Sequence, residues 1–159
     1  MKRVLITAFK GTSAELLVQE NNYKTLLLPN NKKKDAEKLI TLLQKESYDY
    51  IISFGQRPNI KNKIHIETTA KNDNNRINAN IDVNYLCELF IKNGIFAKIS
   101  NNAGTSYCNS IYWNGLTYIA DIKLDTKMIF IHIPYIKNID DINLFRKQIF
   151  KVIKLLTLI

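Results

Sequence analysis

The sequence predicts an α/β fold: three layers, with a twisted, mainly parallel sheet carrying helices on both faces. Two observations predict it. Compact apolar runs fit for buried strands alternate with stretches of helical periodicity, from Arg3–Ala8 near the start to Met128–Ile133 near the end. Turn residues separate them, as at Pro29-Asn30-Asn31 and at Pro134. No internal repeat, linker or break in composition divides the 159 residues, so one domain spanning residues 1–159 is expected.

Taken in order, Val4–Phe9 reads as a first strand and Thr12–Glu20 as a helix. Tyr23–Leu28 is a second strand. Lys33–Lys45 places Ala36, Leu39, Ile40, Leu42 and Leu43 among lysines and acids, an amphipathic helix with Asp35 and Glu37 near its start. Tyr48–Phe54 is a strand left by a loop, Gly55-Gln56-Arg57-Pro58-Asn59. Lys63–Glu67 alternates polar and apolar, a strand with one wet face. Polar, Asn-rich Lys71–Asn80 reads as a loop. Asp82 is suited to cap a helix over Val83–Lys92 and Gly94 to end it. Ile95–Ile99 is a strand, Tyr107–Tyr118 a helix and Met128–Ile133 a strand. A final helix starts at Asp140 and turns its lysines away from Leu144, Ile149, Val152, Leu155 and Leu156.

Composition narrows the function classes. A chain of this length can bury roughly 70% of its unfolded surface. Its 46% hydrophobic and 23% charged residues are ordinary for a globular protein. No uncharged apolar run approaches the ~18 residues of a membrane span, and no secretory cleavage site follows Met1-Lys2-Arg3, so a cytoplasmic location and no membrane partner are expected. The net charge of +9 invites a nucleic-acid partner. Scattered lysines, clustered only at Lys32-Lys33-Lys34 and without interleaved aromatics, argue against one. Two cysteines make no disulfide framework, and no Cys or His pair has zinc-site spacing.

The run Ser100-Asn101-Asn102-Ala103-Gly104-Thr105-Ser106-Tyr107-Cys108-Asn109 is the most informative stretch. It sets Cys108 just after a Gly-containing turn, at the start of a helix, where backbone N–H groups and the helix dipole favour a lowered thiol pKa. The plain alternative is a buried structural thiol, the expectation for Cys87 on the apolar helix face Tyr85–Phe90. A cysteine nucleophile needs a base and a group that orients it. His132 ends an apolar strand; His65 shares a strand face with Glu67, two residues on. Spacing alone leaves open which histidine meets Cys108. Glu67 could fix an imidazole tautomer, and Arg76 could supply positive charge from its loop.

Four segments resemble the pyrrolidone-carboxylate (pyroglutamyl) peptidases, a cysteine peptidase family with a Cys-His-Glu triad. The cysteine run is similar to the family's Ser-Asn-Thr-Ala-Gly-Thr-(two residues)-Cys-Asn. Phe130-Ile131-His132-Ile133-Pro134-Tyr135 resembles its histidine motif, and the spacing from Cys108 to His132 fits. Val4–Phe9 looks like the family's opening strand, and Gly55-Gln56 with Ile64–Glu67, Ala70 and Asn72 like its glutamate block. The resemblance implies a phosphorylase/hydrolase-like fold and removal of an N-terminal pyroglutamyl residue from short, N-terminally blocked peptides. It implies no cofactor, no metal, and a homo-oligomer, dimer or tetramer. It makes Cys108 the nucleophile, His132 the base and then acid, and Glu67 the orienting carboxylate. It places Arg76 near the oxyanion and Phe9 and Gln56 at the substrate.

The departures carry information too. The chain is short for the family, with the missing segment placed between Asn80 and Asp82. Phe9-Lys10-Gly11-Thr12 lacks the second phenylalanine of the family's substrate loop, Arg57-Pro58-Asn59 replaces Ala-Gly-Gly-Arg after Gln56, and Ser106 replaces an aromatic residue. Retained chemistry beside a reduced pocket implies a cysteine exopeptidase. The alternative is a relative of altered specificity, or without turnover, that serves as a binding or assembly module.

Overall fold

The computed structural model describes residues 1–158. Its elements, in chain order, are β1 (Val4–Phe9), α1 (Ser13–Leu17), β2 (Lys24–Leu28), α2 (Lys32–Lys45), β3 (Tyr50–Arg57), β4 (Lys63–Glu67), β5 (Thr69–Asn72), β6 (Asn75–Asn78), α3 (Val83–Lys92), β7 (Phe96–Ser100), α4 (Tyr107–Ile122), β8 (Lys127–Pro134), a 3-10 turn (Ile136–Asn138) and α5 (Ile142–Thr157). Six strands form one sheet in the order β2-β1-β3-β8-β4-β7. Every neighbouring pair is parallel except β4 with β8. The exception follows from chain length. Residues 58–62 join β3 to β4, too few for the crossover that a parallel return requires, so the chain turns back. β8 then fills the place between them.

The period of two along each strand sorts the core into two layers. Ile6 and Ala8 of β1, Ile52 and Phe54 of β3, Ile64 and Ile66 of β4, and Ile129, Ile131 and Ile133 of β8 face α1, α3 and α5. Leu5, Ile51, Met128 and Phe130 face α2 and α4, where Leu39, Leu43, Ile111, Tyr112, Leu116 and Ile119 cover them. Burial on both faces explains why β1, β3 and β8 read as continuous apolar runs. The second layer also encloses a polar pair, the Thr7 hydroxyl donating to Ser53 Oγ at 2.7 Å.

Several boundaries differ from expectation. Helix α1 ends at Leu17, because the chain turns through Glu20 at φ 59° to enter β2. Strand β3 runs on to Arg57, since Gly55, Gln56 and Arg57 pair with His132, Ile133 and Pro134 of β8. The Asn-rich stretch expected as a loop holds the β5–β6 hairpin, turning at Asp73-Asn74 with Asp73 in the left-handed region at φ 54°. Asn and Asp tolerate that conformation. Asn109 of α4 clamps the hairpin: its amide accepts from Lys71 N at 2.9 Å and donates to Lys71 O at 2.8 Å.

Asp82 caps α3 as expected, accepting from Tyr85 N at 3.0 Å. Asp82→Ala should lower stability by about 1 kcal/mol, read as a lower urea midpoint at unchanged m-value.

Candidate active site

Sheet alternation brings the site together. On β3, β4 and β8 the positions facing α4 include Gly55, His65 and Glu67, and His132. His132 pairs with Gly55 on one side and with His65 on the other. Cys108 is the second residue of α4, which packs over this face. Gly55 makes the approach possible. A Cβ built there would lie 2.5 Å from Cys108 Sγ and 2.7 Å from Phe130 Cζ. The sulfur therefore occupies the space that any other residue at position 55 would fill.

Glu67 is fully buried. Its Oε1 lies 3.1 Å from His132 Nδ1 and 2.9 Å from Arg57 Nη1, and its Oε2 accepts from the Ser100 hydroxyl at 2.7 Å. Tyr112 donates its hydroxyl to the Glu67 carbonyl at 2.8 Å. A carboxylate only accepts, so the proton of the shared bond sits on His132 Nδ1, and Nε2 keeps its lone pair as a base. The His132 ring packs against Phe130, with centroids 5.0 Å apart. No hydrogen bond joins Cys108 to His132 among the described residues. Catalytic contacts often tighten only when substrate binds.

The thiol itself departs from expectation. Burial pushes Cys108 up to about 12, the Glu67 charge adds to the rise, and Arg57 opposes it. The start of α4 does not prevail, because desolvation penalises the thiolate. Cys108 thus rests as a neutral thiol and needs a base. Cys87 fits its structural reading: it is buried in the core under α3, its thiol donating toward the Ala97 carbonyl at 3.6 Å, and burial raises it too.

The other expected residues lie around this centre. Phe9 is 3% exposed, its ring 6.3 Å from that of Tyr107. Gln56 points to the opposite face, where its side-chain oxygen accepts from Ser13 N at 3.1 Å and helps wall a cleft of about 560 Å³ with Thr12 and Tyr135. Arg76 is exposed on β6, in register with Lys71, and makes no ion pair among the described residues. His65 is half-buried rather than solvent-facing. Its Nδ1 lies 3.0 Å from Arg57 Nη1, which can only donate, so its proton sits on Nε2, buried and without a partner. Burial first, and Arg57 second, hold His65 below its ordinary pKa.

Sequence reasoning missed Arg57, placed in a loop. The available signal was its spacing: two residues beyond Gly55, on a strand extended by three residues past Phe54, it falls on the same face.

Comparison with known proteins follows the same lines. Residues 77–148 match the family model of pyroglutamyl peptidase. A pyrrolidone-carboxylate peptidase from Fusobacterium nucleatum is 31% identical over an alignment of 172 positions, covering 86% of this chain and 79% of that protein. The crystal structure of pyrrolidone carboxyl peptidase from Fervidobacterium islandicum superposes with a TM-score of 0.87 at 20% identity, covering 98% of each chain. That of pyroglutamyl peptidase I from Bacillus amyloliquefaciens gives 0.83 at 22% identity, covering 95% of this chain and 92% of that one. The two structures speak for the fold.

Two outcomes test the geometry. Gly55→Ala should displace Cys108 and Phe130, costing about 1–3 kcal/mol in denaturant melts and changing the rate at which Cys108 is alkylated. In the unaltered protein a raised thiol pKa leaves little thiolate at neutral pH. Iodoacetamide labelling of Cys108 should therefore be slow near pH 7 and climb steadily to about pH 10, followed by peptide mass spectrometry.

Proposed function

The chain belongs to the pyroglutamyl peptidase family, and from that premise we propose that it is a cysteine exopeptidase acting on peptides blocked by an N-terminal pyroglutamyl residue. The observation that carries this reading is the convergence of Cys108, His132 and Glu67 on one face of the sheet, with Gly55 making room for the sulfur. His132 Nε2 takes the Cys108 proton as Sγ attacks the carbonyl carbon of the pyroglutamyl residue. The tetrahedral oxyanion forms beside the first turn of α4, whose N-cap Ser106 makes no side-chain cap bond and leaves backbone N–H groups free to donate. The imidazolium then returns its proton to the leaving amine, the C–N bond breaks, and a thioester remains on Cys108. Water, deprotonated by His132, hydrolyses it and releases the free pyroglutamate.

Glu67 holds the imidazole in the tautomer this sequence of steps requires. Arg76 reaches the oxyanion only by turning inward from its exposed strand. Phe9, packed against Tyr107 at the start of α4, offers an aromatic surface suited to the flat lactam. A neutral resting thiol agrees with a base that acts during attack rather than before it.

A homo-oligomer, dimer or tetramer, belongs to the same reading. Its support is the edge strand β7, where Phe96 is 76% exposed. An open edge carrying apolar side chains favours association. No helix among the described residues is long and apolar enough to cross a membrane, in keeping with a cytoplasmic setting.

The test is hydrolysis of a fluorogenic pyroglutamyl amide under reducing conditions, beside Cys108→Ala. Turnover by the unaltered protein and none by the variant is the expected result. Equal rates would remove Cys108 as nucleophile. Absence of turnover in both, with folding verified, would favour the binding or assembly role. Sedimentation of the protein and of Phe96→Glu should give an oligomer and a monomer respectively.

A further inference from the structure

Arg57 does more in this molecule than neutralise a surface acid. It is the last residue of β3, in register with Pro134 of β8, and shares the α4-facing side with Gly55. Glu67 lies on β4, one strand further across the sheet, with β8 in between. Neighbouring strands are about 4.8 Å apart, so only a long side chain spans from β3 to β4. The guanidinium does so and makes four contacts. Nη1 reaches Glu67 Oε1 at 2.9 Å, His65 Nδ1 at 3.0 Å and Ser100 Oγ at 3.4 Å, while Nη2 donates to the Asn102 carbonyl.

Two of these partners lead to the cysteine. Ser100 Oγ donates to Glu67 Oε2 and accepts from Asn102 N at 3.2 Å, and Asn102 Oδ1 accepts from Gly104 N at 3.1 Å. The turn that delivers α4, and Cys108 with it, therefore hangs on the same guanidinium that grips the carboxylate. The oxygen it grips is the one that faces His132 Nδ1.

We propose that Arg57 is a positioning residue of this site: it fixes the Glu67 carboxylate, thereby orients the His132 ring that shares Oε1, and anchors the Ser100–Thr105 turn that presents Cys108. The inference rests on the cysteine-peptidase reading for its kinetic consequence, though not for its geometry. His65 serves as the back support, its neutral Nδ1 accepting from the arginine. Arg57 is also the cation that acts on the half-buried thiol, working against Glu67. Lysine would keep the charge but not the planar fork that reaches Glu67 and Asn102 together.

The experiment compares Arg57→Met and Arg57→Lys with the unaltered protein in two readouts. One is kcat and KM on the pyroglutamyl amide; the other is the pH dependence of Cys108 alkylation, which needs no turnover. Arg57→Met should lose about 10- to 100-fold in kcat, the usual cost of removing an outer partner that orients a catalytic group, with little change in KM. Its alkylation curve should move to higher pH. Added methylguanidine should restore part of the kcat of Arg57→Met and none to Cys108→Ala. Arg57→Lys should fall in between, keeping the alkylation curve but not the full kcat. Unchanged kcat and an unchanged alkylation curve in Arg57→Met would overturn the proposal. So would a loss of rate that merely follows a loss of folded protein, with no rescue. Should the unaltered protein not hydrolyse the amide, the alkylation curve still decides: a shift upholds the role of Arg57 while the peptidase reading falls, and no shift sinks both.

Discussion

A carboxylate with no exposure to water is the constraint around which this structure is arranged. Removing Glu67 from solvent is costly unless each oxygen finds a partner. Here Oε1 is shared by Arg57 and His132, and Oε2 takes the Ser100 hydroxyl. Those partners come from β3, β8 and the end of β7, with Tyr112 of α4 bonded to the Glu67 carbonyl. One buried charge thus draws four elements to one point, and that point is where Cys108 arrives.

The sheet makes the arrangement possible through an unusual order of strands. Had β4 followed β3 as a direct neighbour, Glu67 and His132 would not lie on adjacent strands. The short 58–62 connection reverses β4, and β8 enters between the two. In register, His132 then has Gly55 on one side and His65 on the other. Gly55 leaves room for the sulfur; His65 supports the arginine. The alternation of a strand does the rest, separating these polar groups from the isoleucines that pack under α3 and α5.

Much of this was legible in the residues. Continuous apolar runs at Val4–Phe9 and Met128–Ile133 announced buried strands, and Asp82 announced the start of α3. The cysteine and histidine motifs pointed to the pair now found on facing elements. Other parts could not be read from local pattern. Asn-rich polarity concealed the β5–β6 hairpin, because its ladder is short and it is held by tertiary contacts, the Asn109 clamp and the burial of Ala70. Arg57 falls in the stretch Gly55–Asn59 expected as a loop, whereas pairing with β8 carries the strand to that residue. The thiol was expected to be acidified by a helix start. Burial depth and the nearness of Glu67 are properties of the folded sheet, and they reversed the direction. Gln56 alternates away from Gly55, and so it meets α1 instead of the cysteine.

The place of β8 has a consequence for how the chain is made. It is the last strand in sequence yet occupies an interior position, bridging β3 and β4. Until the ribosome has released residues up to Pro134, the growing polypeptide holds two strand edges with nothing between them. Such edges invite mispairing and chaperone attention, and joining them demands contacts between distant parts of the chain, which slows folding. Assembly of the Glu67–His132 cluster is thereby deferred until late in synthesis, since His132 arrives on the strand that closes the gap. A nascent fragment lacking β8 would carry Cys108 and Glu67 without His132, for as long as its sheet stayed open.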